Sequence, residues 1–507
     1  MDTQLLAALP DYFPILSTVA LLVLVCIIFP QLFSRNHLSD IPIIGLDLGN
    51  IEKRRNAYLT SASKLYRDGY KMFRDGVYRI TTADKYETVV ISPKYLDELK
   101  RLPDEVLSFE KAIEEAQEAK YTNITGKFNL VVSPHIVKAD LTPSLVRLNP
   151  RISLEVDRSL KEYMPPCNDW TNLNAHQTLL RIVAVVSGRV FIGPELCRSD
   201  EYLDSAIKYT LEVINASGAI KRIRPWLRPF LAPRLREVLQ LQQREKNVGK
   251  FMSPVIESRI AAKGGETKPD DILQVLIDKS DDFGMKSSSD MAKVQLGLSF
   301  AAIHTTALTA TNALYSLAAS PEYIEPLRTE IRAVLAENGG IFTTKALQDM
   351  KKLDSFMKEC LRVYPPSYAS FQRKTLKGIT LSSGHYIPPN TRIEVPAHAV
   401  SHECFSDGDN FDGFRYYKLR REGGAETVSK NQFVSVSQQS LTFGYGRHAC
   451  PGRFFAGNEI KMILSRILLN YDMRTTDGKN VRYPNIEFSN MSIPDPSKEL
   501  LFKRVKG

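Results

Sequence analysis

The sequence predicts a mainly α protein with a small β lobe, set behind an N-terminal transmembrane helix. Three observations carry that expectation. Strand-like β-branched runs are few, and the clearest, 77–80 and 88–91, alternate or cluster as an early hairpin does. Most of 152–361 reads as helix, including one long helix that Ser289 or Asp290 can cap and that runs through Ala319 until Pro321 stops it. Residues 12–34 carry no charge, and as a helix they would span ~34 Å against a hydrocarbon thickness of about 30 Å.

The N-terminal segment reads as an anchor that is kept. A cleaved signal peptide needs a basic leader and a small-residue cleavage site, whereas Asp2 and Asp11 precede the run. Arg35, Lys53, Arg54 and Arg55 follow it, and the positive-inside rule then puts the bulk of the chain in the cytosol. The expected organisation is a lumenal N-terminus at 1–11, a transmembrane signal anchor at 12–34, a Pro-containing hinge at 35–50 and a cytosolic globular domain at 51–507. Ile41-Pro42-Ile43-Ile44-Gly45 reads as a stiff turn between anchor and domain. After Pro365-Pro366 the texture changes to short strands and turns. Residues 422–440 look irregular, and a helix is expected over 453–469.

Composition bounds the function classes. Sixty-seven basic against 57 acidic residues give a formal charge of +10 in 507 residues, which suits an anionic membrane surface or an acidic partner and argues against nucleic acid. The six cysteines have no CxxC pair and no histidines at zinc spacing, as expected in a reducing compartment. The stretch 221–231 mixes Lys221, Arg222, Arg224 and Arg228 with Trp226, Phe230 and Leu231. It suits a lipid headgroup boundary or, equally, a solvated helix connection with a buried Trp.

The most informative run is Phe443-Gly444-Tyr445-Gly446-Arg447-His448-Ala449-Cys450-Pro451-Gly452. A lone cysteine is by default a small buried apolar residue. Here its neighbours suit holding a thiolate against the iron of a flat, anionic macrocycle. Gly444 and Gly446 let backbone approach a ligand, and Arg447 can pair with a haem propionate. Pro451 fits the first turn of a helix whose dipole favours a Cys450 thiolate, and Phe443 can shield the sulfur. The run closely resembles the haem-thiolate loop of the cytochrome P-450 monooxygenases.

Further pieces have the order and spacing of that family. Glu359-Cys360-Leu361-Arg362 puts acid and base on one helix face, and Phe411-Asp412-Gly413-Phe414-Arg415 follows about fifty residues later. The resemblance implies that Glu359, Arg362 and Arg415 form an interlocked structural salt bridge near the cysteine loop. In the long helix, Ala301-Ala302-Ile303-His304-Thr305-Thr306 puts Ala301 and Thr305 on one face. It resembles the family's oxygen-activating stretch, in which small residues such as Ala301 and Ala302 admit the porphyrin and a threonine, here Thr305, orients dioxygen and water. His304 stands where the common pattern has an acid, so the resemblance implies a rerouted proton path through His304. That variant is similar to fungal secondary-metabolism members that oxidise terpenoids. Arg373 matches a haem-propionate position. The family's W-x-x-x-R is missing, since neither Trp170 nor Trp226 heads it, and His135 or Lys138 can substitute.

The resemblance implies a membrane-anchored monooxygenase of the endoplasmic reticulum, single-pass with its catalytic domain in the cytosol. Its cofactor would be haem b with Cys450 as thiolate ligand, using O2 and electrons from NADPH through a separate flavoprotein reductase that docks near the cysteine loop. Residues 121–132, Ala301, Ala302, Thr305, 367–371 and 490–493 would contact a lipophilic, polycyclic substrate. The rival readings are a haem-thiolate isomerase or dehydratase that consumes no O2, and a non-catalytic haem- or lipophile-binding protein.

Overall fold

The computed structural model describes residues 17–18, 37–84, 87–125, 128–262 and 268–505. The anchor expected at 12–34 lies outside these residues, apart from the helical Ser17 and Thr18. Among the described residues no helix is long and apolar enough to cross a membrane.

The body is helical. Its helices include α1 (Ile51–Met72), α2 (Thr142–Tyr163), α3 (Ala175–Phe191), α4 (Asp200–Lys221), α5 (Arg236–Ala261), α6 (Ser288–Ala319), α7 (Lys351–Val363), α8 (Ala397–Glu403), α9 (Arg415–Glu422) and α10 (Arg453–Asn470), of which α1 and α8 pack into the strand-lobe cores. The long α6 is the expected central helix, and it stops before Pro321. Its cap is Ser287 rather than Ser289 or Asp290. Ser287 Oγ accepts from the Asp290 amide at 3.3 Å, and the Asp290 carboxylate accepts back from the Ser287 hydroxyl at 3.0 Å. This reciprocal box makes Asp290 the third helical residue, so the start moves upstream. Ile182, Val186, Leu314, Phe356, Met462 and Leu464 are fully enclosed where α3, α6, α7 and α10 meet.

The strand lobe has its own two small cores. The expected hairpin forms as β1 (Val77–Thr81) and β2 (Glu87–Ile91), antiparallel. It belongs to a five-stranded sheet in the order β1-β2-β8-β5-β3, with β3 (Leu107–Ser108), β5 (Ser370–Thr375) and β8 (Arg392–Val395). The β2–β8 pairing is parallel. Smaller sheets join β4 (Thr171–Leu173), β12 (Leu500–Arg504) and β9 (Tyr471–Thr475), then β6 (Ile379–Thr380) with β7 (Tyr386–Ile387), and β10 (Asn485–Phe488) with β11 (Met491–Pro494). The stiff turn at 41–45 docks on the sheet edge: the Ile44 amide donates to the Arg79 carbonyl at 2.9 Å, and the Arg79 amide to the Pro42 carbonyl at 2.7 Å. The stretch 422–440 is less irregular than its sequence suggests. Ala425–Lys430 is helical, started after Gly423-Gly424 and closed by a Glu426–Lys430 pair one turn apart.

One core carboxylate gives the fold a pH response. Glu459 of α10 is wholly buried, and both its oxygens accept from the Ser187 hydroxyl, at 3.0 and 3.1 Å. Burial pushes its pKa up to about 8. The native state therefore holds a proton that the unfolded chain releases above its ordinary range near 4.3. This contribution favours folding fully below that value and is lost as pH rises towards 8, by about tenfold in the folding equilibrium per pH unit. Glu459→Gln is expected to flatten the dependence of stability on pH between 5 and 8 in denaturant melts. An unchanged slope would place the native proton elsewhere.

Candidate active site

The cysteine loop is closed by its own backbone. The Cys450 amide donates to the Phe443 carbonyl at 2.7 Å, the Gly444 amide to Leu441 at 2.8 Å, and the Ala449 amide to Gly446 at 3.1 Å. Gly444 and Gly446 have φ of 78° and 69°, so this turn requires glycine at both places. A Cβ on Gly446 would press on Lys100, and one on Gly444 on the loop itself. Pro451 sits before the helix, not in its first turn, because Gly452 is the cap and Arg453 the first residue of α10. The thiol nonetheless faces the start of that helix. Burial pushes the Cys450 pKa up, while the amides of Gly452 and Arg453 and the Arg453 guanidinium oppose that rise. Arg453, which the sequence did not single out, also fastens the loop by donating to the Cys450 carbonyl at 2.7 Å and to Val434 at 3.1 Å. Phe443 packs edge-on against Phe433.

The basic residues of the loop divide. Arg447 is 43% exposed, pairs with Asp104 at 2.9 Å and donates to the Leu102 carbonyl at 2.6 Å. Arg373 is buried on β5, its guanidinium over the rings of Phe371 and Phe109, and its hydrogen bond goes to the Gln372 carbonyl. No carboxylate pairs with it among the described residues, and burial pushes its pKa down to about 10. His448 stacks on the same Phe109 ring, with centroids 5.1 Å apart. Arg373 and His448 therefore share one aromatic platform, while Arg447 turns to the surface. Of the two substitutes for the missing W-x-x-x-R, Lys138 reaches the loop, donating to the Arg447 carbonyl at 3.1 Å, whereas His135 packs against Phe283.

Helix α6 presents Gly297, Ala301, Thr305 and Thr309 at four-residue spacing, one stripe of the helix. Ala301 and Thr305 are accessible on a helix that is otherwise largely embedded. The Thr305 hydroxyl donates to the Ala301 carbonyl at 2.8 Å and lies 3.2 Å from that of Ala302. Asn129 packs on Gly297 so closely that a Cβ there would lie 2.4 Å from its Oδ1, which brings Phe128–Val132 over the stripe. His304 points elsewhere. Its Nε2 is 2.7 Å from the Ile207 carbonyl of α4, so that nitrogen carries the proton. Burial pushes its pKa down, with the Ile207 bond opposing. The relay expected of His304 finds no support in this orientation, because consecutive helical side chains diverge by ~100°.

Two charge networks on α7 hold the loop from behind. Glu359, without exposed surface, accepts both Arg362 donors at 2.7 and 2.8 Å, Arg415 Nε at 3.2 Å and the Asp412 amide at 3.0 Å. One turn earlier, Asp354 accepts from Lys461, Arg420 and the Phe433 amide, and Lys358 donates to the Gln432 carbonyl at 2.8 Å. The second network tethers the segment that enters the cysteine loop, and no local motif marked it.

This donor set fits a haem. It offers a thiol backed by two amides, a buried guanidinium lacking its anion, and a small-residue stripe on α6. A model of the cytochrome P450 family matches residues 131–502. The chain is 39% identical over 429 residues to the cytochrome P450 monooxygenase ATR3 of Stachybotrys chlorohalonatus, covering 83% of this chain and 89% of that one. It is 35% identical over 473 residues to the cytochrome P450 monooxygenase braC of Annulohypoxylon truncatum, covering 92% and 93%. It is also 35% identical over 492 residues to the cytochrome P450 monooxygenase TES1 of Alternaria alternata, covering 96% and 92%.

Removing the Glu359 carboxylate leaves Arg362 and Arg415 buried against each other. Glu359→Ala is expected to cost about 3–5 kcal/mol and to yield protein that retains no haem. A full haem spectrum from that variant would overturn the assignment.

Proposed function

The chain belongs to the cytochrome P450 family of monooxygenases, and from that premise we propose that it inserts one oxygen atom from O2 into a lipophilic, terpenoid-like substrate. Cys450 would hold a haem as its thiolate ligand, and that haem would supply the oxidising chemistry. The chain's own residues bind, orient and move protons. Gly452 and Arg453 amides favour the thiolate form of Cys450. Arg373 and His448 hold carboxylates of the cofactor, and Arg447 with Lys138 fastens the loop edge. The observation that carries the reading is Thr305, an accessible hydroxyl on the α6 stripe that can exchange its bond to the Ala301 carbonyl for one to water. In this reading Thr305 delivers protons and His304 holds α4 against α6.

Electrons come from NADPH by way of a separate flavoprotein reductase. The substrate lies against Ala301, Ala302 and Thr305, under the segment at 121–132, with 367–371 and 490–493 as its further walls. The Tyr368 amide donates to the Asn490 carbonyl at 2.8 Å, which ties these two walls together. The protein is bound to the endoplasmic reticulum membrane with this domain in the cytosol. A surface in 221–231 supports that placement: Trp226 and Phe230 are 67% and 65% exposed, so the alternative of a buried Trp there does not hold.

Reconstituted with a reductase, the protein is expected to couple NADPH oxidation and oxygen uptake to product formation from candidate terpenoids. Its ferrous–CO band should lie at the thiolate rather than the histidine position. Product without reductase would sink the monooxygenase reading in favour of an isomerase, and a normal band without turnover would favour a non-catalytic haem protein. Thr305→Ala is expected to lower product formation by ~10²-fold while NADPH oxidation continues. Coupled product at the wild-type rate would remove the role given to Thr305.

The membrane face has its own test, because the chain has two tryptophans. In a Trp170→Phe background, emission from Trp226 is expected to be quenched by brominated lipids in vesicles. Unquenched emission would place 221–231 in water.

A further inference from the structure

One cavity lies away from the cysteine loop. It is a cleft of about 540 Å³ between α1, the end of α7, α8 and the β10–β11 hairpin. That size is in the range of small-molecule sites. Its deep wall carries Arg482, whose guanidinium lies 3.4 Å from the Tyr364 ring centroid. The partners of Arg482 are all neutral. Nε donates to Ser316 Oγ at 3.1 Å, Nη1 to the Tyr483 carbonyl at 2.7 Å, and Nη2 to Asn312 Oδ1 at 2.6 Å and Asn485 Oδ1 at 3.0 Å. One Nη1 proton is left without an acceptor. Burial lowers the pKa of Arg482, and no carboxylate offsets it. A buried cation without a counter-ion is costly, and proteins keep one mainly where an anion comes to it.

A second wall residue points the same way. His398 of α8 is buried, and its ring is left with an unpartnered nitrogen. The cleft therefore holds polar groups with spare bonding capacity at two places. At the rim, Lys64, Arg67 and Lys71 stand one turn apart along α1, each against a partly or largely exposed carboxylate, Asp68, Asp409 and Glu403 respectively. Such pairs are weak and exchange readily for another anion. Tyr364 and Pro484 add flat apolar wall, which suits an organic body behind the charged group.

We propose that this cleft binds an organic anion, a carboxylate or phosphate, whose charge pairs with Arg482 and whose body rests against Tyr364. Asn312 and Ser316 belong to α6, so an occupant would bear, through Arg482, on the helix that carries Thr305. No residue of the cysteine loop lines the cleft, Tyr368 and Ser492 also belong to the substrate walls proposed above, and binding of an anion here does not depend on the reaction proposed there.

Calorimetric titration of the haem-loaded full chain with inorganic phosphate, at constant ionic strength, tests it. Saturable binding is expected, weakened about tenfold or more in Arg482→Gln and about two- to fivefold in Lys64→Glu. Lys64 is a 75% exposed rim residue, so its variant decides the matter if Arg482→Gln does not fold. No saturable binding to the wild type, or equal affinity in every folded variant, would overturn the proposal. Vesicles containing phosphatidate, compared with phosphatidylcholine alone, separate the sources. Displacement of bound phosphate by the former assigns a lipid headgroup, and retention assigns a soluble anion.

Discussion

Glu359 has no contact with water, and two guanidinium groups and one amide neutralise it. Charges of this kind are tolerable only when every partner is in place, because the interior does not screen a missing one. The partners come from α7, from α9 and from the turn before α9, so the carboxylate forces three segments into one arrangement. Arg362 and Arg415 extend it by donating to the carbonyls of Gly408 and Asn410. Asp354, one turn back on α7, performs the same task for the chain entering the cysteine loop. These ionic contacts thus fix the turn before α9 and the chain at Phe433 that leads into the cysteine loop.

Much of this was legible before any coordinates. The helical body, the β1–β2 hairpin, the long α6 and the helix after the cysteine follow from periodicity, caps and prolines, which act over a few residues. The family resemblance implies a salt bridge of Glu359, Arg362 and Arg415, and they meet at 2.7–3.2 Å. The misses share a cause. Asp354, Lys358 and Arg453 matter because of what lies opposite them in space, and local sequence holds no record of that. Arg447, read as a propionate partner, meets the exposed Asp104, which His448 also reaches from the aromatic surface beside Arg373. The Ser287 cap was missed by two residues because Ser288, Ser289 and Asp290 all have capping side chains, and the reciprocal bond is what selects among them.

His304 shows how a motif can mislead when read one residue at a time. Beside Thr305 it suggests proton traffic, yet on a helix neighbouring side chains face different ways. His304 faces α4, and on His176 of α3 burial first and the nearby His304 second disfavour charge. A neutral imidazole donating to a carbonyl is a tether, and here it joins α6 to α4.

The strand lobe carries a consequence for how the chain is made. Strand β2 pairs in parallel with β8, and Tyr66 of α1 donates to Glu394 across 328 residues at 2.6 Å. During synthesis the first helix and hairpin leave the ribosome long before their partners do. The open edge of β2 then waits, unpaired, until nearly four-fifths of the chain has been translated. Closing so long a loop is slow, and an unpaired strand edge is sticky in the meantime. Yield of the folded enzyme in a foreign host should therefore follow elongation rate and chaperone supply more closely than it follows the stability of the finished protein.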